Sequence, residues 1–386
     1  MSQKKKIIDM KIGIVCYPTF GGSGVVATEL GKALADNGHE VHFITYSQPA
    51  RLDFFSSNLF YHEVNISKYP LFDFPPYELA LASKLVDVVR FEKLDILHVH
   101  YAIPHASAAF MAKQILKTYG INIPVITTLH GTDITLVGRD PSYNPVVTFS
   151  INQSDGVTAV SEYLKEDTFK HFEITRDIRV IPNFIDLSRF TLQPREHFKK
   201  AIAPGDERIL VHTSNFRKVK RIADVVNVFY KVQKVIPSKL LMVGDGPERV
   251  NAEQQCRDLG IVDDVRFLGK QEAVEEILSV SDLFLMPSET ESFGLAALEA
   301  MACKVPVLST NVGGLPELNI NGVTGFMNDV GDVEGMAKNA LYILEDCNRL
   351  TEFKKAAAKR AKEFDLALIL PQYEDYYKEI IAATKN

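Results

Sequence analysis

The sequence predicts an α/β protein made of two doubly wound, Rossmann-like domains that face each other across a cleft. Short β-branched segments alternate with helical patterns along the chain, which is typical of parallel sheets covered by helices on both faces. The alternation starts a second time after about residue 190. At about 150 residues per domain, a chain of 386 residues also indicates two domains.

Composition excludes several classes of protein. The chain has 43 basic and 49 acidic residues, a net charge of −6, whereas a nucleic-acid-binding protein needs a basic surface. No segment approaches the ~20 apolar residues of a membrane span. The 4 cysteines lack metal or disulfide spacing and suit core positions in a reducing compartment. We therefore expect a cytoplasmic protein.

The first domain is predicted to comprise residues 1–190. Its helical segments end near Gly38 and Gly120, glycines suited to a helix C-terminus. The polar stretch 188–206 is predicted to be a linker. The strands are predicted at short apolar segments bounded by turns or helices, namely KIGIVCY, EVHFITY, ILHVHY and PVITTLH.

The second domain is predicted at residues 191–363, and the tail 364–386 is predicted to be a helix that packs on the first domain. In open α/β sheets, ligands bind beyond the carboxyl ends of the strands. Functional residues are therefore expected in loops after strands, at the cleft between the domains. The strands of the second domain are predicted at RILVHTS, KLLMVGDG, VRFLG, LFLMPS and VPVLSTN.

A glycine-rich loop, Gly21-Gly22-Ser23-Gly24, lies between the first strand and its helix. Such a loop lets an anion approach the helix N-terminus, although a tight turn is an equal alternative. The same residues fit a dinucleotide fingerprint. The second strand, however, ends in Tyr46-Ser47-Gln48 and not in the acid that would meet a ribose. Arg51 could accommodate the 2′-phosphate of NADP, so an NADP site stays an alternative.

Histidines cluster at the third predicted strand, with His98 and His100 on one of its faces and His105 just after it. His98, His100 and His105 invite a metal site, but nothing nearby completes a ligand set, so none is predicted. The segment LHGTDITLVGRD follows the next strand as a polar loop, which favours a functional role. The alternative is a helix start capped by Thr132 or Asp133.

A basic cluster opens a helix of the second domain, at Arg217, Lys218, Lys220 and Arg221. Cations at a helix N-terminus oppose the helix dipole, which favours a bound phosphate over a solvated face. A second helix is predicted to begin near Ser292 to Gly294, and its free N–H groups would hold a diphosphate with Lys220 and Arg217.

Two acidic residues accompany that second helix. At helical rise, the eight residues from Glu291 to Glu299 span about 12 Å, comparable to the distance from the sugar to the ribose of a nucleotide sugar. The spacing therefore favours Glu291 at the sugar and Glu299 at the ribose. The alternative is one helix-terminal charge and one buried acid that is paired locally.

Together these residues resemble the family-4 glycosyltransferases of the GT-B fold. The resemblance rests on the two acids, the GGSG loop, Lys220 and the Gly244–Pro247 turn, and it covers nearly the whole chain. Longer stretches, among them GIVCYPTFGGSGVVATELG and TTLHGTDITLVGRDPSY, are similar to the branch that makes N-acetylglucosaminyl malate for bacillithiol biosynthesis. The resemblance implies transfer of N-acetylglucosamine from UDP-GlcNAc to the hydroxyl of L-malate, with the α configuration retained.

The resemblance also implies roles for individual residues. The implied catalytic residues are His130, Arg217, Lys220 and Glu291. The implied donor-binding residues are Gly22, Glu291, Ser292, Phe293, Gly294, Leu295 and Glu299. The implied acceptor-binding residues are Ser23, Tyr101, Thr132, Arg139 and Asn183. Many members place their phosphate arginine five residues before the lysine, where this chain has Asn215, so either Asn215 or Arg217 is left to serve the diphosphate.

No metal or other cofactor is implied, because cations and the helix N-terminus take that role. The expected mechanism is a front-face displacement in which the leaving phosphate helps to take the acceptor proton. A family-4 enzyme with another acceptor, an NAD(P)-dependent oxidoreductase and a non-catalytic nucleotide-sugar-binding protein stay open as alternatives. The oligomeric state is undecided, and a homodimer is left open.

Overall fold

The structure is a computed structural model, which describes residues 10–19, 21–52, 57–66, 74–193 and 195–385. The chain divides into two compact units. Unit 1 comprises Met1–Pro182 and Ile369–Asn386, and unit 2 comprises Asn183–Leu368. The division thus falls before the predicted boundary at 190. The stretch 188–206, predicted as a linker, belongs to unit 2 and contains helix α6 (Glu196–Ile202).

Unit 1 contains a 7-stranded parallel sheet in the order β3-β2-β1-β4-β5-β6-β7. Its strands are β1 (Lys11–Val15), β2 (Glu40–Thr45), β3 (Leu59–Glu63), β4 (Ile96–His100), β5 (Val125–Leu129), β6 (Gly156–Ala159) and β7 (Arg179–Val180). Its helices are α1 (Gly22–Asp36), α2 (Tyr77–Glu92), α3 (Ser107–Thr118), α4 (Asn144–Gln153), α5 (Glu162–His171) and most of α14 (Leu366–Lys385).

Unit 2 contains a 6-stranded parallel sheet in the order β10-β9-β8-β11-β12-β13. Its strands are β8 (Arg208–Ser214), β9 (Ser238–Gly244), β10 (Val265–Gly269), β11 (Leu283–Met286), β12 (Val307–Thr310) and β13 (Gly325–Asn328). Its helices are α6 (Glu196–Ile202), α7 (Ile222–Gln233), α8 (Arg249–Asp258), α9 (Val274–Ser279), α10 (Leu295–Ala302), α11 (Leu315–Leu318), α12 (Val333–Leu344) and α13 (Cys347–Ala361).

Both sheets follow the same doubly wound order. The chain adds two strands on one side of the first strand and then returns to the other side, so the direction reverses between β1 and β4 and again between β8 and β11. Ligands of such sheets bind beyond the carboxyl ends of the strands at this switch point. The α/β class predicted from the alternating pattern is confirmed, and the loops after these four strands become the candidate sites.

Every strand predicted from the sequence is present, but the sequence analysis missed four others. The edge strand β3 is half exposed, with the sequence LFYHE. β6 and β13 have only 4 residues each, and β7 has 2. Such short or polar segments lack the apolar run by which a buried parallel strand is recognised.

Each unit has its own hydrophobic core on the faces of its sheet. In unit 1, Leu81 and Leu85 of α2 pack with Ile44 and Leu97 of the sheet. In unit 2, Phe229 of α7 belongs to the equivalent cluster. Burying one such side chain contributes about 1.5–3 kcal/mol. These cores fix the strands and so position the loops at their carboxyl ends.

Helix α14 supplies aromatic side chains to unit 1. The Tyr377 hydroxyl lies 2.7 Å from His98 Nδ1 on β4, and the Tyr376 hydroxyl accepts the Val157 amide of β6 at 3.0 Å. Glu374 accepts from Asn37 at 3.0 Å. Beyond Ile369 the tail is thus an integral part of unit 1. No described helix is long and apolar enough to cross a membrane.

Candidate active site

In unit 2, the loops after the neighbouring strands β8 and β11 meet through an ion pair. Lys220 Nζ lies 2.5 Å from Glu291 Oε1, and the Ser288 hydroxyl donates to the same oxygen at 2.8 Å. The backbone joins the loops as well, since the Glu289 amide donates to the Val219 carbonyl at 2.8 Å. The two residues that the sequence placed at the diphosphate and at the sugar are therefore in direct contact.

Two glycines hold the Glu291 loop in place. The Gly314 amide donates to the Glu291 carbonyl at 2.9 Å. A Cβ on Gly313 would lie 1.8 Å from that carbonyl oxygen, and a Cβ on Gly314 would lie 2.4 Å from the Ser292 carbonyl. The sequence analysis missed this function. The sequence feature that could have revealed it is the pair of adjacent glycines in the loop after strand β12, because adjacent glycines often mark a place where two backbones approach closely.

The helix after this loop begins later than the sequence analysis assumed. α10 starts at Leu295, after Gly294 with φ 96°, so Glu291 lies in the preceding turn. The estimate of about 12 Å treated all eight residues up to Glu299 as helical, and this assumption was wrong. The Ala297 and Leu298 amides donate to the Gly294 carbonyl, at 2.9 and 3.1 Å. The Leu295 and Ala296 amides are therefore the N–H groups of the first turn that can meet an anion.

Two predicted donor residues near α10 are buried. Glu299 is 8% exposed. Phe293 is buried, and its ring packs edge to face on Phe364 with centroids 5.5 Å apart. The Phe293 side chain therefore helps to build the core of unit 2, and only its backbone is placed to meet a ligand.

The basic cluster is partly neutralised by carboxylates of its own unit. Arg221 bonds to Asp224 at 2.5 Å and to Glu289 at 2.9 Å, and Lys220 pairs with Glu291. These acids supply negative charge that the sequence analysis assigned to a phosphate alone. Arg217 and Asn215 are both exposed, so the structure does not decide which one serves a diphosphate.

A buried histidine of β8 fixes the start of the basic loop through hydrogen bonds. His212 Nδ1 lies 2.8 Å from the Leu285 carbonyl, and its Nε2 lies 2.8 Å from Ser214 Oγ, which accepts the Phe216 amide. Burial lowers the pKa of His212 to about 4, so the ring is neutral at pH 7. No role was predicted for His212 from the sequence, although the strand that contains it, RILVHTS, was predicted.

In unit 1, the loops after β1 and β4 also meet through side chains. The Tyr101 hydroxyl donates to Ser23 Oγ at 2.7 Å. Burial raises the pKa of Tyr101 to about 12, so the hydroxyl keeps its proton at pH 7. Gly22 is the first residue of α1, beside this pair. Two predicted acceptor residues and one predicted donor residue thus lie together at the N-terminus of α1.

His130 follows strand β5 and lies beside the same tyrosine. Its ring centroid is 5.2 Å from that of Tyr101, and its Nε2 is 2.7 Å from His100 Nδ1. Burial, aided by His105, lowers the pKa of His130 to about 3. The imidazole is therefore neutral and acts as a hydrogen-bonding group, not as a cation.

The loop containing Thr132 is fixed by its neighbour, Asp133. The buried Asp133 carboxylate accepts the Ala102 amide at 2.9 Å and the Gly131 amide at 3.1 Å. It therefore joins the loops after β4 and β5. Thr132 itself is exposed, at the start of a π-helical turn from Thr132 to Leu136.

The other two predicted acceptor residues, Arg139 and Asn183, have different surroundings. Arg139 donates to both carboxylate oxygens of Asp167, at 2.8 and 2.7 Å, so its charge is already paired. Asn183 is the first residue of unit 2. It is buried, and its Oδ1 has no hydrogen-bond partner among the described residues.

Among the described residues, the histidines on and directly after β4 are not part of a group that could hold a metal ion. His98 bonds to Tyr377 and Thr128, at 2.7 and 2.6 Å. Within the described residues, the one group of histidine and acidic side chains close enough to hold a metal ion is His42, His62 and Glu92. It belongs to β2, β3 and α2, away from the loops described above.

Comparison with known proteins agrees with this architecture. A family profile described as Glycosyltransferase Family 4 matches residues 20–189, and one described as Glycosyl transferases group 1 matches residues 193–360. N-acetyl-alpha-D-glucosaminyl L-malate synthase of Bacillus anthracis is 49% identical over 383 residues, which cover 98% of this chain and 99% of that protein.

Solved structures share the fold at lower identity. HepE of Anabaena in complex with UDP and glucose has a TM-score of 0.81 and 20% identity, covering 96% of this chain and 99% of that chain. Sucrose-phosphate synthase from Thermosynechococcus elongatus has a TM-score of 0.79 and 22% identity, covering 97% of this chain and 100% of that chain.

These findings define the class of the protein, a glycosyltransferase with two Rossmann-like domains of the GT-B kind. Within this class, the chain belongs to glycosyltransferase family 4. An NAD(P)-dependent oxidoreductase, which the first glycine loop left open, does not fit this family.

Proposed function

We propose that this protein transfers N-acetylglucosamine from UDP-GlcNAc to the hydroxyl of L-malate, the first step of bacillithiol biosynthesis. In the reaction, the bond between sugar C1 and the β-phosphate oxygen of UDP breaks. A bond from C1 to the malate hydroxyl oxygen forms on the same face, so the α configuration is retained. The hydroxyl proton passes to the departing phosphate. The products are α-linked N-acetylglucosaminyl malate and UDP.

The observation that carries this proposal is the likeness to the malate synthase, 49% identical over 98% of the chain. An identity of this extent includes both units, and hence both groups of loops described above. The more distant relatives and solved structures share the fold but differ in their named substrates. Fold alone does not define the acceptor, so the acceptor needs its own test.

The loop pair of unit 2 supports a role in donor binding. An ammonium group has three N–H donors, so Lys220 keeps two for a diphosphate while it holds Glu291 at 2.5 Å. Glu291 Oε1 accepts from Lys220 and Ser288, which leaves Oε2 for a sugar hydroxyl. The N-terminus of α10 adds N–H groups for the phosphate. Positive charge fixed beside the leaving group stabilises it as charge develops.

The loop pair of unit 1 supports a role in acceptor binding. L-malate is a dianion, so its site must supply several hydrogen-bond donors. The N-terminus of α1, the Ser23 hydroxyl and the exposed Thr132 hydroxyl provide such donors. The Tyr101 hydroxyl donates to Ser23 Oγ, so it orients the Ser23 proton toward an acceptor. Hydrogen bonds to a charged group contribute about 1.5–3 kcal/mol each, enough to distinguish malate from a neutral acceptor.

The electrostatics of unit 1 support proton transfer to the phosphate. A general base works best when its pKa lies near the working pH. Burial lowers the pKa of His130 to about 3, which makes it a poor base at pH 7. Burial raises the pKa of Asp133 to about 6, which is nearer to the working pH, but this carboxylate is buried and each of its oxygens already accepts a backbone amide. The phosphate oxygen of the departing UDP is therefore the proposed proton acceptor, and His130 is proposed to hydrogen-bond to the transferred sugar.

No metal ion is part of the proposed reaction, because Lys220, Arg217 and the N-terminus of α10 supply the positive charge. The reaction is proposed to take place in the cytoplasm. The free cysteines of the described chain suit such a reducing compartment.

The test is UDP release from UDP-GlcNAc with L-malate, with a neutral sugar acceptor, and with no acceptor. The proposal expects fast release only with L-malate. Release with a neutral acceptor alone would retain a family-4 transferase but remove malate as its substrate. Binding of UDP-GlcNAc without release under any condition would instead indicate a binding protein.

A further inference from the structure

A cluster of nitrogen and oxygen ligands lies at the edge of the unit 1 sheet. It consists of His42 on β2, His62 on the edge strand β3 and Glu92, the last residue of α2. One ligand atom of each residue lies within 4.8 Å of the other two. His42 is fully buried, whereas His62 and Glu92 are partly exposed. Solvent therefore reaches the cluster from one side only.

Strand register explains why these three residues meet. β2 and β3 run parallel, with His62 opposite Ile44 and Phe60 opposite His42. Side chains alternate along a strand, so His42 and Ile44 share one face of β2. Ile44 packs into the core cluster that contains the leucines of α2. That face of β2 is thus the face that α2 covers, and Glu92 ends this helix beside the histidines.

The orientation of His42 is fixed by a neighbouring carboxylate. His42 Nε2 lies 3.0 Å from Glu40 Oε1, and Glu40 is held by Lys11 at 2.6 Å. A ring nitrogen that faces a carboxylate carries the proton, so the lone pair of His42 is on Nδ1. This nitrogen points at His62 Nε2, 2.9 Å away. A carboxylate behind a histidine is the usual device that orients a metal ligand.

We propose that His42 Nδ1, His62 Nε2 and a carboxylate oxygen of Glu92 bind one Zn²⁺ ion. Two imidazoles and one carboxylate form a known zinc ligand set, and a solvent molecule fills the fourth position. The ion replaces the hydrogen bond between the histidines, and the His62 proton moves to Nδ1 of the same ring through solvent. The nitrogens must separate from 2.9 Å to about 3.3 Å, as tetrahedral bonds of about 2.0–2.1 Å require.

The role assigned to this zinc is structural. The ion would tie the end of α2 to the edge strand β3 and to β2, two strands that already pair through their backbones. Lys11 and Lys84 are cations near the cluster and oppose metal binding, whereas Glu92 and Glu40 favour it. Without zinc, the same residues form only a hydrogen-bonded chain from Lys11 to His62.

The experiment uses the full chain after removal of metal and titrates Zn²⁺ against a coloured competing chelator. Wild type should bind one equivalent. His62→Gln and Glu92→Gln should each weaken this binding at least tenfold, and Glu40→Gln should weaken it about 10–100-fold through the orientation of His42. His197→Gln, which removes an exposed histidine of α6, should leave it unchanged.

Two further measurements test the zinc site without the transfer reaction, so their results do not depend on the proposed function. Co²⁺ in place of zinc should give the visible absorption of a tetrahedral site in wild type but not in His62→Gln. Zn²⁺ should raise the Tm of wild type and not that of His62→Gln. Failure of wild type to bind one equivalent, or equal binding by wild type and His62→Gln, would overturn the proposal and leave the hydrogen-bonded chain as the full role of the cluster.

Discussion

Lys220 and Glu291 lie 71 residues apart in the chain, and their side chains form an ion pair of 2.5 Å. They follow β8 and β11, the strands between which the winding of the unit 2 sheet reverses. In unit 1, Ser23 follows β1 and Tyr101 follows β4, the two strands between which the winding of that sheet reverses. The Tyr101 hydroxyl lies 2.7 Å from Ser23 Oγ. Each unit therefore joins its switch-point loops through side-chain contacts, and the two contacts named here lead to the first two predictions.

Lys220→Ala should lower kcat about 10²–10³-fold, or about 2.7–4 kcal/mol, if Lys220 stabilises the leaving diphosphate as a preorganised donor. The matched control is Lys218→Ala, which removes an exposed lysine of the same loop and should change kcat little. Steady-state kinetics with UDP-GlcNAc and malate measure both variants. Turnover of Lys220→Ala within a few-fold of wild type would exclude Lys220 from the mechanism.

Thr132→Val should raise the KM for malate strongly and leave that for UDP-GlcNAc nearly unchanged, because an anion loses one hydrogen bond of about 1.5–3 kcal/mol. Ser23→Ala should act in the same direction. Thr118→Val, at the exposed end of α3, is the control and should alter neither KM. An equal rise in both KM values for Thr132→Val would argue against a malate site in this loop.

Activity should survive an excess of chelator, because side chains and the N-terminus of α10 are proposed to meet the charge of the diphosphate. Assays before and after chelation, with Mg²⁺ or Mn²⁺ added back, measure this. Loss of turnover that either ion restores would show that the reaction needs a metal. A fall in Tm without a loss of turnover is the result expected if zinc occupies the cluster of His42, His62 and Glu92.

Stability should fall as the pH drops below about 6.5, the usual histidine pKa. In the folded protein, burial lowers the pKa of His98 and His130 to about 3 and that of His105 to about 4, and it lowers that of His100 well below its usual value. The unfolded chain therefore binds more protons in this range, and each histidine removes up to about 1.4 kcal/mol per pH unit.

Asp133 acts in the opposite direction, since burial raises its pKa to about 6 and the folded state keeps its proton longer. One carboxyl only partly offsets four histidines. Urea midpoints between pH 5 and 7.5 measure the slope. His98→Gln should flatten the slope, and the exposed His197→Gln should not. A midpoint that does not depend on pH would contradict the neutral histidines described here.

The sequence was sufficient for the class of fold, since buried parallel strands are recognisable as short apolar runs. Candidate site residues were predicted in loops after such strands: the glycine loop, the basic cluster and the acid pair indicated Ser23, Lys220 and Glu291, and the family resemblance added Tyr101. Strand order is not visible in one sequence. The contacts of Lys220 with Glu291 and of Tyr101 with Ser23 therefore emerge only from the structure.

Long-range pairing explains the other differences. Arg139 pairs with Asp167, and Arg221 pairs with Glu289, contacts between segments that no local pattern relates. The helix predicted to begin near Ser292 to Gly294 begins at Leu295, after Gly294 with a positive φ of 96°. A glycine permits this conformation, but its presence in a sequence does not show that the chain adopts it. The glycines that hold the Glu291 loop became recognisable once β11 and β12 were adjacent.

The most direct test of the central claim is the identity and anomeric configuration of the product. The enzyme would be incubated with UDP-GlcNAc and L-malate, and the product examined by NMR and mass spectrometry. The account predicts N-acetylglucosaminyl malate, linked through the malate hydroxyl in the α configuration, with one UDP released per molecule. A β-linked product, or free N-acetylglucosamine formed at the same rate with and without malate, would contradict it.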